Sequence, residues 1–264
     1  AISDALTETY HIVNTSRGLN DLESIAPKNG ARFHFSLPGS VQGFSVESNG
    51  SATASIENRV IPGSADAHAL SINISAISGA DSVTIATPTF TPPEALKMPG
   101  YELLASPTLH PGQTVRAHVI SDESNSGLVG VRLVIRRYNN ADELEIDRGP
   151  VLSIRPDEEN ILEWMIGGSG TLPIQSVGIE ISNAPNGATL YLDSLTWDGE
   201  PNTTFGRLDH NGSQWQKAWV NGVDQFDRWW PEPFRVVKNE GIGLISRGGR
   251  DWRNYRVEAP IYIH

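Results

Sequence analysis

Apolar and polar residues largely alternate in two stretches near the middle of the chain, Thr114-Val115-Arg116-Ala117-His118-Val119-Ile120 and Val129-Gly130-Val131-Arg132-Leu133-Val134-Ile135-Arg136. Successive side chains of a β-strand point to opposite faces, so this alternation predicts strands with one buried and one solvated face. A similar period of two recurs in residues 69–74 and 190–197, among others. We therefore interpret residues 32–198 as a series of about ten strands.

The predicted strands are short and are bounded by Gly, Pro, Asn and Asp, with no convincing helical stretch between them. Successive short strands without intervening helices are typical of antiparallel architectures. The sequence therefore predicts an all-β protein, an antiparallel jelly-roll β-sandwich. Parallel-sheet nucleotide-binding folds do not fit this pattern, since they need helical crossovers.

Charge and composition narrow the expected partners. The chain of 264 residues has 20 basic and 31 acidic residues, a formal net charge of −11. This charge opposes the phosphate neutralisation on which nucleic-acid affinity depends, and it opposes adsorption to anionic lipid. Neither a nucleic acid nor a membrane is therefore an expected partner. The absence of cysteine excludes disulfides, thiol nucleophiles and cysteine-ligated metal sites.

Changes in composition and in the pattern of apolar residues along the chain predict three segments. Residues 1–30 are interpreted as a lead-in segment and residues 31–200 as the sandwich. A turn cluster, Asp198-Gly199-Glu200-Pro201-Asn202, separates the sandwich from residues 201–264, which we call the tail. We interpret the tail as an incomplete second β-sandwich, with a strand predicted over residues 214–220. It holds five of the seven Trp residues: Trp215, Trp219, Trp229, Trp230 and Trp252.

A small, Trp-rich sheet needs a partner that covers its apolar face. Either the first sandwich covers the tail, or a second polypeptide completes its sheet. The chain begins at Ala1 rather than Met, which fits a processed chain or a fragment. We expect a fragment of a longer protein.

The sequence lacks the motifs of several catalytic classes. It has no Gly-x-Ser-x-Gly nucleophile elbow, no phosphate-binding or dinucleotide-binding glycine motif and no His-Glu-x-x-His metal motif. We therefore expect no catalytic residues in this chain. One enzymatic alternative stays open, because glycoside cleavage needs two facing carboxylates. The candidates for it are Glu143, Glu145, Asp147, Asp157, Glu158 and Glu159.

Two carboxylates are candidates for a structural calcium site. Calcium takes several oxygen ligands, and Asp193 in the last predicted strand could lie near a strand crossing. Glu47, on an early strand, is the expected side-chain partner. The alternative is that Asp193 points to solvent or caps a turn.

Aromatic residues beside hydrogen-bonding residues suggest a sugar site. A sugar ring stacks its C–H face on an aromatic side chain while neighbouring polar groups bond its hydroxyls. The candidate ligand-binding residues are Tyr138, Arg136, Asn139, Asn140 and Trp164. The alternative for Trp164 is a place in the core, where Trp is more often found.

The first sandwich resembles the galactose-binding-like jelly rolls, in particular carbohydrate-binding modules related to families four and nine. The resemblance covers roughly residues 31–200 and departs at Phe44, where many relatives carry Trp. It is carried by Phe33 to Phe35, Gly43-Phe44, His68-Ala69-Leu70-Ser71-Ile72, Leu109-His110-Pro111-Gly112-Gln113-Thr114-Val115 and Leu190-Tyr191-Leu192-Asp193-Ser194-Leu195.

A second resemblance concerns residues 190–199, Trp215-Gln216-Lys217-Ala218-Trp219-Val220 and residues 251–257. These are similar to the sandwich tails of bacterial ADP-ribosylglycohydrolase-family proteins, whose helical catalytic domains hold magnesium through clustered Asp. This chain has no Asp-Asp pair, so any such catalytic domain would lie outside it.

Together the resemblances imply a noncatalytic carbohydrate-binding accessory module of a larger enzyme, extracellular or at the cell surface, with a polysaccharide as partner. A purely structural module packing on a catalytic domain is the remaining alternative.

Overall fold

A computed structural model describes most of the chain between residues 31 and 258. The described residues are 31–61, 67–91, 107–168, 170–205, 212–227, 235–248, 252 and 256–258. The predicted lead-in, residues 1–30, lies outside them. No helix among the described residues is long and apolar enough to cross a membrane.

Eleven strands of the described part of the chain form two antiparallel sheets. In chain order they are β1 (Ser45–Asn49), β2 (Ala54–Val60), β3 (His68–Ile74), β4 (Ser82–Pro88), β5 (Thr114–Ser121), β6 (Val129–Tyr138), β7 (Leu144–Arg148), β8 (Leu152–Ile154), β9 (Glu159–Met165), β10 (Ile174–Ser182) and β11 (Ala188–Asp198). Sheet one has the order β1-β4-β10-β6-β7, with β8 also paired to β6. Sheet two has the order β2-β3-β11-β5-β9.

The two sheets enclose one apolar core, as the alternation predicts. From sheet one, β6 contributes Leu133 and Ile135, and from sheet two, β5 contributes Val115, Ala117 and Val119. The residues between them in sequence point to the outer faces of the sheets. The predicted antiparallel β-sandwich is thus confirmed.

A β-bulge in β11 keeps its apolar residues in the core. Leu192 and Leu195 are both buried although they are three positions apart, which breaks a strict period of two. The register shifts between Leu192 and Ser194, opposite His118 of β5. A bulge places two residues opposite one, so the alternation resumes in phase after it. The bulge also leaves Asp193 on the outer face, next to β5.

The described part of the tail forms short elements instead of a sandwich. They are α1 (Gln214–Lys217), β12 (Val220–Asn221), β13 (Gln225–Asp227), β14 (Arg235–Val237) and β15 (Ile245–Ser246). β12 pairs with β15, and β13 pairs with β14. An incomplete second sandwich over residues 201–264, and a second polypeptide that completes it, stay predictions.

The predicted strand over residues 214–220 is wrong, because a distant carboxylate sets the local structure. Asp142, in the turn between β6 and β7, accepts hydrogen bonds from the backbone N–H groups of Ser213 and Gln214 and from the hydroxyl of Ser213, at 2.7 to 3.0 Å. These bonds satisfy N–H groups that a helix leaves unpaired at its start. The chain therefore turns into α1 at this point.

Aromatic and cationic contacts join the tail to the first sandwich. Ala218, next to α1, is buried in one cluster with Phe90 and Tyr138. Arg247 donates to the carbonyl oxygen of Thr171 at 2.7 Å, and its guanidinium lies 5.2 Å from the centre of the Phe205 ring. Burial lowers the pKa of Arg247 to about 10, so it stays charged at neutral pH. The part of the tail around Ala218 and Arg247 therefore packs on the sandwich.

We expect Asp142→Asn to loosen the tail. Burial raises the pKa of Asp142, but the N–H groups of Gln214 and Ser213 and the Ser213 hydroxyl outweigh it, so the pKa is lowered overall. Hydrogen bonds to a charged group contribute about 1.5–3 kcal/mol, and the variant should lose a comparable part of the free energy of unfolding. Thermal unfolding and limited proteolysis of the tail would measure it.

Asp157→Asn is the matched control. Asp157 also has a positive φ, 57° against 63° for Asp142, but it is exposed. The backbone strain is therefore similar, and only the contacts of the carboxylate differ. Equal stability of the two variants would contradict the role assigned to Asp142. Because the folded pKa of Asp142 is lowered, its contribution should be present above about pH 4 and be lost as the pH falls through the folded pKa.

Candidate functional site

The outer face of sheet two is polar. Ser71 of β3 and Tyr191 of β11 lie opposite each other and point away from the core, since their neighbours Ile72 and Leu192 are core residues. Nevertheless Ser71 is only 1% exposed and Tyr191 only 7%. Side chains that are buried on the side opposite the core lie at the floor of a cleft or under a covering segment. We call this surface the sheet-two face.

A hydrogen-bonded network runs across β2, β3 and β11 on this face. The hydroxyl of Thr189 contacts the side-chain oxygen of Asn73 at 3.3 Å, and the amide of Asn73 contacts Glu57 at 3.5 Å. Glu57 in turn pairs with Arg59 at 2.6 Å. These side chains come from alternate positions of neighbouring strands, so the pleat of the sheet places them on one surface.

Tyr191 is fixed at the centre of the face. Its hydroxyl donates to the carboxylate of Asp122 at 2.8 Å. Burial and this hydrogen bond raise the pKa of Tyr191 to about 12, so the phenol stays neutral at physiological pH. Asp122 also accepts the backbone N–H of Ser124 at 2.9 Å. The phenol is thus held by the turn that follows β5.

His118 of β5 lies between two carboxylates. Its Nδ1 is 3.0 Å from Asp193 of β11, at the bulge, and its Nε2 is 2.6 Å from Glu159 of β9. Asp193 is the main cause that raises the pKa of His118, with burial opposing and Glu159 adding to the rise. With an acceptor at each ring nitrogen, the arrangement favours the doubly protonated imidazolium.

Acidic groups outnumber basic ones on the sheet-two face. Arg116 of β5 contacts both Glu163 and Asp198 at 2.7 Å. Among the described residues, six carboxylates lie on or beside the face against two guanidinium groups: Glu57, Asp122, Glu159, Glu163, Asp193 and Asp198 against Arg59 and Arg116. The face therefore carries a negative potential unless His118 and bound cations offset it.

A shallow groove of about 200 Å³ adjoins this face at its β9 edge. Trp164 lines it, partly exposed and packed against the core. Ile161 and Glu163, on the outward side of β9, line it as well. Pro150, Val151 and Leu152 form the opposite wall. Of the predicted ligand-binding residues, Trp164 is therefore the one that lines an open apolar surface.

The other four predicted ligand-binding residues lie elsewhere. The ring of Tyr138 is 9% exposed and packs edge-on against Phe90, so it is a packing residue here. The side-chain oxygen of Asn139 accepts the N–H groups of Ala141 and Glu143 and shapes the β6–β7 turn, where Asn140 is exposed. Arg136 lies on the outer face of sheet one and pairs with Glu47 at 2.5 Å. The structure does not bring these residues together with Trp164 around one site, and their role in binding stays a prediction.

The two predicted calcium ligands are also apart. Glu47 is on β1 of sheet one and contacts Arg136, whereas Asp193 is on β11 of sheet two and contacts His118. No group of three or more His, Asp or Glu suited to a metal ion is found in the described part of the chain. The arrangement therefore does not support one ion shared by Asp193 and Glu47, and calcium binding stays a prediction.

The carboxylates of the enzymatic alternative are dispersed over several local contacts. Glu143 and Glu145 bond the side chain of Asn139, and Asp147 pairs with Arg137. Two others act near β9: Glu158 accepts the N–H of Arg155, and Glu159 contacts His118. Asp157 is exposed in the same turn. These contacts hold turns and strands, and Glu143 and Glu145 lie near each other, since both accept from the same amide nitrogen of Asn139.

Sequence reasoning missed the sheet-two face. The signal was present, since Ser71 and Asn73 alternate with core residues in β3, as Arg116 and His118 do in β5. Alternation alone marks such residues only as solvated. Which strands become neighbours, and so which polar residues meet, depends on the order of strands in the sheet.

Comparison with known proteins finds similar structures but no related sequence. No protein-family model matches the chain, and no curated protein matches it. A carbohydrate-binding module of the β-sandwich superfamily is similar with a TM-score of 0.46 and 15% identity, over 66% of this chain and 63% of that chain. This chain thus spans less than two thirds of the length of that protein.

Two further similar structures are xylanase-associated modules. The C-terminal family 22 carbohydrate-binding module of Clostridium thermocellum Xyn10B has a TM-score of 0.40 and 14% identity, over 66% of this chain and 96% of that chain. The xylan-binding domain of Paenibacillus barcinonensis Xyn10C has a TM-score of 0.40 and 10% identity, over 62% of this chain and 91% of that chain. The resemblances to families four and nine and to ADP-ribosylglycohydrolase tails stay predictions.

We expect the pKa of His118 to lie above its ordinary value of 6.5, and Asp193→Asn to lower it more than Glu159→Gln. Asp193 is 14% exposed and Glu159 is 66% exposed, so solvent screens the second pair more strongly. Titration of the imidazole resonances by NMR would measure both shifts. Equal shifts in the two variants would contradict this ranking.

The same pair makes stability depend on pH. Because the pKa of His118 is raised in the folded protein, protonation stabilises the fold fully below about pH 6.5, and this contribution is lost as the pH rises through the folded pKa. The difference in free energy of unfolding between wild type and His118→Gln should shrink over that range.

Proposed function

We propose that this chain is a noncatalytic carbohydrate-binding module that holds a glycan on the sheet-two face. The observation that carries the proposal is the network of polar and charged side chains on this face, around Ser71 and Tyr191. Buried polar groups on the side opposite the core form no part of the sandwich interior. A surface of this kind is suited to a ligand that offers many hydrogen-bonding groups.

The chemistry of the face matches that of sugar hydroxyls. A hydroxyl both donates and accepts, and the face offers carboxylate acceptors beside guanidinium and amide donors, as in Glu57, Arg59 and Asn73. These groups stand on paired strands, so their positions are fixed before a ligand arrives. Such preorganisation reduces the ordering entropy that binding must overcome.

The groove at β9 would add apolar contact to the same site. Trp164 and Ile161 supply the apolar surface on which the C–H face of a sugar ring packs. Sheet two has five strands, so the distance from β2 to β9 is roughly 19 Å at the usual strand spacing. An extended glycan that crosses the face would reach the groove.

The contacts of the carboxylates favour binding over catalysis. Asp193 and Glu159 both contact the raised-pKa imidazole of His118, and Glu163 contacts Arg116. These carboxylates are already engaged in ion pairs with neighbouring side chains, whereas a glycosidase needs two facing carboxyl groups that reach the scissile bond. As an accessory module of a larger secreted or surface enzyme, the chain would hold that enzyme near its substrate.

Replacing Arg59 with Ala should weaken glycan binding about tenfold or more, because a donor at the rim of the face is lost; tenfold corresponds to about 1.4 kcal/mol. An array of polysaccharides that includes xylan and mixed-linkage β-glucan would select the ligand, and calorimetry would then compare the variants.

Arg256→Ala is the matched control, since Arg256 is an exposed arginine of the tail that also pairs with a nearby glutamate, Glu258. Unchanged affinity in Arg59→Ala would remove the sheet-two face from the binding site. Turnover of any arrayed glycan by the purified chain, abolished by a single carboxylate substitution, would overturn the noncatalytic assignment.

A further inference from the structure

The outer face of sheet one carries three neighbouring arginines. Arg132 and Arg136 stand two positions either side of Val134 on β6, and Arg148 of β7 lies opposite Val134 in the register. Since Val134 points away from the core and is nevertheless buried, the stems of the three arginines account for its cover. We call this surface the arginine face.

Two carboxylates hold these three guanidinium groups. Glu180 of β10 is 2% exposed and accepts from Nε of Arg132 at 2.7 Å and from Nε of Arg148 at 3.1 Å. Glu47 of β1 contacts one terminal nitrogen of Arg136 at 2.5 Å. The local balance is therefore one positive charge, on a chain whose net charge is −11.

The arginines keep unused donors. Arg148 bonds only through its Nε and Arg136 only through one terminal nitrogen. Their remaining nitrogens have no partner among the described residues and are accessible to solvent, while the ion pairs fix the direction of each guanidinium. A guanidinium has five N–H groups in a planar fork, and two of them match the two oxygens of a carboxylate.

The outer side of β10 beside the arginines carries small residues. Gly178 of β10 pairs with Val134 and with Ala86 of β4. A Cβ at Gly178 would lie 2.0 Å from the carbonyl oxygen of Ile85, so only glycine fits there. Ser176, two positions away, also presents a small side chain. At these two positions β10 therefore places no long side chain between the guanidinium groups and β4.

We propose that the arginine face is a second binding surface, which takes the carboxylate groups of an acidic polysaccharide. This proposal rests on the proposed function only in taking a polysaccharide as the ligand. The arginine face itself belongs to a different sheet. The unused donors of Arg136 and Arg148 stand on neighbouring strands, two positions apart in the register, so they engage separate carboxylates of one chain. The acidic sheet-two face repels such a polymer, so the two faces select differently charged glycans.

Other polyanions fit the face less well. The net charge of −11 opposes every polyanion, but it opposes duplex DNA, with one charge per about 1.7 Å, more than a polysaccharide with one carboxylate per sugar. An acidic protein partner would need an apolar centre to its interface, and among the described residues of β6 and β7 only Leu144 and Ile146 offer exposed aliphatic surface on this side.

Polygalacturonate is the probe, tested by calorimetry and affinity electrophoresis at low and high salt. Wild type should bind it, more weakly as salt rises. The double variant Arg136→Gln/Arg148→Gln should bind at least tenfold more weakly, and Arg136→Lys/Arg148→Lys should also weaken binding, because the charge remains but the planar fork is lost. Arg132 is left in place, so that the buried Glu180 keeps one guanidinium partner.

Arg59→Gln on the sheet-two face is the matched control and should bind polygalacturonate as wild type does. Absence of binding at low salt would overturn the proposal, as would an equal loss in Arg59→Gln. Tighter binding of duplex DNA than of polygalacturonate through the same arginines would assign the face to nucleic acid instead. Failure of neutral glycans to bind, with polygalacturonate still bound, would overturn the sheet-two site and leave the arginine face standing. Thermal unfolding of each variant verifies that the fold is retained.

Discussion

The pairing of β11 with both β3 and β5 is the constraint on which the rest of sheet two depends. β11 lies at the centre of that sheet, and Leu190, Leu192, Leu195 and Trp197 all belong to the core. The bulge after Leu192 keeps the later members of this set in phase. Without it, either Leu195 and Trp197 or Leu190 and Leu192 would point to solvent. The same irregularity places Asp193 beside His118, so core packing and the polar face have a common origin.

The strands were predictable because alternation is a local property. In β3, β5, β6 and β11, the order of apolar and polar residues itself indicates which side chains are buried, and the structure follows this order closely. The ends of a strand are harder to predict where a bulge or a turn interrupts the alternation. The helix α1 was not predictable, since the carboxylate that fixes its start, Asp142, is 71 residues earlier in the chain. No pattern within residues 214–220 records that contact.

The candidate site was harder to predict than the fold, for a related reason. Tyr138 follows two arginines, and such polar neighbours suggested an exposed ring, yet Phe90 and Ala218 from distant segments cover it. Asp193 and Glu47 were paired on the assumption that an early and a late strand meet, but they belong to different sheets. Trp164 lines the groove because it sits in an edge strand whose side chains stay partly open, and its role in binding stays a prediction. Sequence order alone does not specify the neighbours across a sheet.

Edge strands of this sandwich carry charges on both sheets. β2 has Glu57 and Arg59, β9 has Glu159 and Glu163, and β7 has Glu145, Asp147 and Arg148. Unpaired strand edges attract the edges of other molecules, and charged side chains are a common protection against such self-association. Several of the charged groups that are proposed to contact a ligand therefore also protect the protein against self-association. Variants that neutralise these edges would leave the already exposed Ile161, Met165 and Leu144 on open strands without charged neighbours, and such variants would tend to aggregate.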